Sequence, residues 1–162
     1  MAVSFKKFNQ FVEDVGHELH IFDTDTLKIL LTNTVPNAAD TIVDTVGHAT
    51  CVVEATSNAA EIAAASGYAK GGPTLATVVY TQTSGTAKLY AVKVTVTAGA
   101  SIGPFQYAVL YNDSGGTTGT RPLIGWWNYG GAVTLASGET FTIGNSNDGT
   151  DWTSTYPILT IA

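Results

Sequence analysis

From about residue 75 onward, apolar and polar positions alternate in short runs, and Gly, Ser and Asp cluster between the runs. A period of two bounded by turn residues predicts strands at about 75–82, 86–97, 104–112, 122–129, 131–136, 139–144 and 157–161. In the second of these Tyr90, Val92, Val94 and Val96 share one side, joined by Lys88 at the exposed end, so that side is expected to be a core face. An earlier strand is expected over residues 26–32, after the turn-forming Asp23, Thr24 and Asp25 and before Pro36. Residues 37–57 have a weak pattern and read as a long connection with one short strand near 50–54. Two segments carry a helical period instead. Phe5, Phe8, Val12, Val15 and Leu19 recur at spacings of three and four, which predicts a helix over 5–15 with Ser4 as N-cap and Gly16 as its end. Asn58 and Glu61 stand at capping-box spacing before an Ala-rich run, which predicts a second short helix near 58–65 stopped by Gly67.

About eight strands, minor helices, short turns and no fixed-period repeat predict an all-β fold: an antiparallel β-sandwich or a jelly-roll-like variant of it. No low-complexity linker divides the chain, so residues 1–162 are expected to form a single domain. Residues 1–22 are expected either to pack on the sandwich or to form a helical arm reaching a neighbouring subunit.

Charge changes this picture at the surface. Only 12% of the residues are charged, about half the roughly 25% usual for soluble domains, so the exposed positions must be filled largely by Thr, Ser, Gly and Ala. A surface of this kind has little charge to strip of water when another protein docks. The net charge of −6, with Lys6 and Lys7 the only adjacent basic pair, provides no basic stripe for a phosphate backbone, and no direct nucleic-acid contact is expected. No run of about eighteen apolar residues suggests a membrane span, and Lys6, Lys7, Gln10, Glu13 and Asp14 interrupt any secretory core at the N-terminus. A soluble protein made in a reducing cytoplasm fits, with Cys51, the single cysteine, as an apolar spectator.

Candidate chemistry is sparse. Trp126, Trp127, Asn128 and Tyr129 suggest an aromatic platform, but neighbours on a strand face opposite ways, so both tryptophans cannot line it. Glu13, His17, His20 and Asp23 are metal-ligating types without a supporting HExxH or second cluster. Residues 145–151 imitate part of a calcium loop, but aligning Gly149 with its obligatory glycine puts Gly144 where the first carboxylate belongs, and they read better as an exposed Asp-Gly turn. Ser4 and Lys7 match S-x-x-K without its companion motifs, and residues 115–119 lack the lysine of a P-loop. No catalytic residue, cofactor site or metal site is assigned, and no enzymatic activity is expected. Paired carboxylates brought together by the fold stay an open alternative, because their separation is a tertiary property.

Three blocks, FNQFVEDVGHELHIFDTDTLKILLTNT at 8–34, EIAAASGYAKGG at 61–72, and SIGPFQYAVLYND with LIGWWNYGGAVTLASGETFTI at 101–143, together resemble small virion structural proteins of tailed bacteriophages, of the capsid decoration or cement type. The resemblance does not extend through 37–57 or 144–156. It implies a protein made in the host bacterial cytoplasm that sits on the capsid surface of the virion and strengthens the shell without chemistry. Its partners would be the major capsid protein and copies of itself in a symmetric oligomer. Interface residues are then expected in the N-terminal stripe, at Phe5, Phe8 and Phe11, and in the aromatic strand at Trp127 and Tyr129. The alternative is a tail or fibre-associated module that binds a host glycan or another tail protein.

Overall fold

The computed structural model describes residues 4–40, 42–43, 60–114 and 121–162, with residues 42–43 described by their backbone. The strand expected near 50–54, the start of the helix expected at 58, and Cys51 lie outside the described residues. In chain order the elements are β1 (Phe5–Lys7), α1 (Phe11–Gly16), β2 (Leu27–Thr32), β3 (Ile42–Val43), β4 (Val79–Thr83), β5 (Thr86–Tyr90), β6 (Val94–Thr97), β7 (Ile102–Asn112), β8 (Arg121–Leu135), β9 (Thr140–Ile143) and β10 (Leu159–Ile161). The architecture is all-β, and every strand pairing among the described residues is antiparallel. The main sheet has the order β1-β8-β7-β2 with β3 also on β8, and two smaller sheets, β10-β5-β4 and β6-β9, complete the fold.

One face of the main sheet, carrying Leu27, Ile29, Leu31, Ala108, Leu110 and Trp127, shares a core with Leu89 of β5, Val94 and Val96 of β6, Ile143 of β9 and Leu159 of β10. This is sandwich packing of two layers across a common apolar interior. The opposite face of the main sheet is also covered: Leu30, Tyr107, Val109, Tyr111 and Trp126 form a second cluster with Phe8. Burial on both faces explains why residues 107–111 read YAVLY without alternation. A register shift between Leu110↔Gly125 and Tyr111↔Leu123 leaves Ile124 as an extra residue. As in a β-bulge, that extra residue changes the alternation, so Ile124 joins the first core while Leu123 joins the second.

Several expectations change here. The predicted 5–15 helix is a three-residue strand followed by a six-residue helix. Phe5 and Lys6 pair with Trp127 and Trp126, and residues 4–22 do not stand off as a helical arm. Gln10 takes the N-cap position in place of Ser4, its amide reaching Glu13 Oε2 at 3.0 Å and Asp14 Oδ1 at 3.2 Å. The helix does stop at Gly16. The strand expected over 86–97 is two strands in two different sheets. The chain crosses between them at residues 91–93, where Lys93 N–H donates to Asp151 Oδ1 and Trp152 N–H to the Ala91 carbonyl. The crossing flips parity, so the core residues are Leu89, Val94 and Val96, while Tyr90 and Val92 are only half-buried. Conversely, the expected strands 122–129 and 131–136 are one strand, β8, with Gly130 at φ +96° inside it.

The described part of the predicted second helix, residues 60–65, is not helical. Glu61 instead bridges Thr32 on the outer edge of β2, and Ile62 N–H donates to the Leu31 carbonyl. Its buried carboxylate accepts from Tyr68 Oη at 2.8 Å and from Gly71 N–H at 2.7 Å, while Tyr68 Oη in turn accepts from Leu31 N–H. Burial pushes the Glu61 carboxyl above the usual carboxylate range, against the lowering effect of these two hydrogen bonds and of Lys70. Gly67 stops no helix; its φ of +97° lets a tight turn approach Thr97, whose carbonyl oxygen would lie 1.9 Å from a Cβ at this position. At the end of β7, Asp113 lies between Lys28 Nζ at 2.7 Å and Arg121 Nε at 2.9 Å, the latter a close ion pair off hydrogen-bond geometry. No helix among the described residues is long and apolar enough to cross a membrane.

Candidate functional site

Beyond Trp127 the strand β8 runs past the packing that covers it. Trp127 is overlain by Phe5, with ring centres 4.8 Å apart, and by Trp152 at 5.6 Å. Two residues on, Tyr129 lies on the same side but is 51% exposed, held only at its flank by the edge-to-face contact with Phe141 of β9. Phe141 in turn meets Phe105 of β7 edge to face at 4.9 Å. These aromatics and the 144–149 loop enclose a cleft of about 360 Å³. The loop supplies its polar rim, with Ser146, Asn147 and Asp148 exposed.

The loop is built around the side chain of Asn145, which is buried. Its Oδ1 accepts from the N–H groups of Asn147 and Asp148, an Asx turn. Its Nδ2 faces Asp148 Oδ1 at 2.9 Å, Thr150 Oγ1 at 2.7 Å and the Asp151 carbonyl at 3.0 Å. The amide thus occupies the point on which three oxygens converge, which gives a geometric reason why this calcium-like segment is a self-closed turn. Hydrogen bonds from Thr150 and Asn145 hold the Asp148 carboxyl below the usual carboxylate range, so it is an anion at neutral pH. Among the described residues of the lining, Asp148 is the only ionisable side chain apart from the phenols Tyr107 and Tyr129. The cleft therefore offers stacking and hydrogen bonding rather than paired acid–base groups.

The five expected interface residues separate sharply. Phe8 and Phe11 are each 1% exposed and Trp127 is 7% exposed, enclosed in the chain's own cores, so none is available to a partner in this fold. Phe8 packs on Trp126 at 4.5 Å, so of the two alternatives for the N-terminal stripe it follows packing on the chain's own sheet and not the arm. Phe5 is half-buried against Trp127, and Tyr129 alone is open. The large apolar residues of the N-terminal segment that do face outward are Val12, Leu19 and Ile21. The two tryptophans point to opposite faces as strand alternation requires, Trp126 in the second cluster and Trp127 in the first.

The metal-ligating types of residues 13–23 do not converge, and no group of three or more His, Cys, Asp or Glu suited to a metal occurs among the described residues. Glu13 and His17 are exposed and 4.0 Å apart. His20 is buried, stacked on Phe22 with ring centres 5.6 Å apart, and its Nδ1 lies 3.4 Å from Asn112 Nδ2. Burial lowers its pKa to about 4, against the opposing influence of Asp25.

What sequence reasoning missed is the meeting of Tyr129 and Phe141 with the 144–149 loop. The signal was divided: an aromatic strand on one side and an Asn/Asp-rich turn on the other, with the β8–β9 connection to bring them together. No family model, curated protein or solved structure matches the chain.

Proposed function

We propose that the protein is a structural component of a tailed-phage virion that docks on the capsid and reinforces it, binding major capsid subunits and assembling with copies of itself. The observation that carries this reading is the outward face of the β6–β9 ladder. Register pairs Thr95 with Thr142 and Thr97 with Thr140, all four exposed, while Val94, Val96 and Ile143 point inward. Thr95 Oγ1 and Thr142 Oγ1 lie 3.2 Å apart. The exposed far end of β8, with Gly130, Gly131, Ala132 and Thr134, is likewise uncharged. A hydroxyl face of this kind is soluble alone yet loses little hydration energy when covered, and its short side chains forfeit little rotamer entropy. Contacts that are weak singly hold firmly when symmetry repeats them over a shell. The three-block sequence resemblance supports the same reading.

The test is sedimentation with capsids of the encoding phage assembled without this protein. Wild-type chain is expected to co-sediment at saturable occupancy. Thr95→Lys with Thr97→Lys is expected to weaken binding by about tenfold or more, because two ammonium groups must then be desolvated. Unchanged affinity would remove the threonine face from the mechanism, and no binding of the wild-type chain would overturn the capsid role.

A further inference from the structure

We propose that the cleft between Tyr129, Phe141 and the 144–149 loop binds a neutral saccharide. A pyranose presents an apolar face of C–H groups ringed by hydroxyls that donate and accept. The lining combines the matching parts: the aromatic residues Phe105, Trp127, Tyr129 and Phe141 and the small polar residues of the 144–149 loop. Tyr129 is half open to solvent without disturbing the core, as a stacking platform must be. On the rim, the intramolecular hydrogen bonds to Asp148 all go to Oδ1, from Asn145 Nδ2 and from the Thr150 N–H and hydroxyl, which leaves Oδ2 to accept a ligand hydroxyl. The Asn147 amide offers both donors and an acceptor, and only its backbone N–H is engaged within the loop.

Three further points fix the ligand class. The loop is tied in place by Asn145, so ordering it costs a ligand little. Among the described residues the lining contains no Lys, Arg or His, and its one carboxylate repels anions, which disfavours sialylated, uronic or phosphorylated sugars and nucleotides alike. The volume of about 360 Å³ is at the small end of the roughly 300–1,000 Å³ of small-molecule sites, suited to one sugar ring or a disaccharide.

The experiment is a titration of the ¹⁵N-labelled full chain with lactose, maltotriose, mannotriose and N,N′,N″-triacetylchitotriose, and with 3′-sialyllactose as the charged counterpart of lactose. At least one neutral probe is expected to shift the backbone amides of Tyr129 and residues 144–148 saturably, with Kd between about 10 μM and 10 mM. Sialyllactose is expected to bind no better than lactose. Tyr129→Ala is expected to weaken binding about tenfold or more, whereas Tyr129→Phe, which keeps the ring, stays within about threefold. Both substitutions are at a half-exposed side chain, so retained amide dispersion serves as the folding control. The proposal is overturned if no neutral probe moves these amides, if the shifts map elsewhere, if Tyr129→Ala binds like wild type, or if sialyllactose binds more tightly than lactose. Thr95 and Thr97 do not line the cleft, so the outcome is separable from that of the capsid test.

Discussion

Gly72→Ala should destabilise the protein by about 3 kcal/mol or more, measured as a shift of the urea midpoint at constant m-value. Gly72 has φ +74°, and a Cβ there would stand 1.9 Å from the Ile29 carbonyl oxygen and 2.8 Å from Leu30 Cα. Both neighbours are backbone of β2, where Ile29 and Leu30 are fully buried, so neither can swing aside as a flexible side chain would. The glycine's own segment is held as firmly. Gly71 donates to Glu61 and accepts from Tyr111 Oη at 2.8 Å, and Ile29 N–H donates to the Pro73 carbonyl at 3.0 Å. Gly85→Ala supplies the comparison, since Gly85 has a similar φ of +84° but nothing within 4 Å of the position of a Cβ. It should show the conformational penalty alone, about 1 kcal/mol. Equal effects at the two sites would mean that residues 71–75 do not pack on β2 as described.

Acid is expected to weaken the fold through His20. In the unfolded chain this imidazole titrates near its ordinary 6.5, whereas burial lowers it to about 4 in the folded one. Between those values the unfolded state binds a proton that the folded state does not. The folded state therefore loses stability as pH falls from 6.5 toward 4 and loses no more from this group below that. The span corresponds to a change on the order of 3 kcal/mol. Geometry agrees in direction: Nδ1 faces the Asn112 amide at 3.4 Å and suits the acceptor role, and Nε2 has no hydrogen-bond partner among the described residues. Glu61 and Asp14, whose carboxyls burial raises, act with the opposite sign toward the acid end, so total stability does not isolate His20. His20→Phe, which keeps the stack on Phe22, does. The gap in urea-derived stability between wild type and variant should change in the variant's favour as pH falls from 6.5 to 4, and parallel curves would refute the assignment.

The readable parts of the fold are those whose pattern arises from local alternation. β2, β7, β9 and β10 lie close to where periodicity puts them because each has a side facing one continuous core. β1 was hidden because three residues are too few to show a period, and Phe5, Phe8 and Val12 mimic a helical stripe that only pairing with Trp126 and Trp127 resolves. Glu61 misled for a related reason: a capping residue and a buried acceptor for Tyr68 and Gly71 look alike until the partners are known. The break at 91–93 could not be read because both halves are good strand sequence, and what divides them is a change of sheet. At the candidate site the opposite facing of Trp126 and Trp127 was legible from alternation alone. That Trp127 is roofed by Trp152 while Tyr129 is not depends on a residue 25 positions downstream of Trp127.

Strand β7 has hydrogen-bonded neighbours along both edges and apolar cover above and below. Its central amides, from Ala108 to Leu110, can meet solvent deuterium only when the main sheet comes apart, so their exchange should report the free energy of complete unfolding. Amides of the β6–β9 pair, a sheet of two short strands, should exchange through smaller openings. The molecule would then combine a slowly exchanging centre with a threonine-faced ladder that opens locally while the main sheet stays closed.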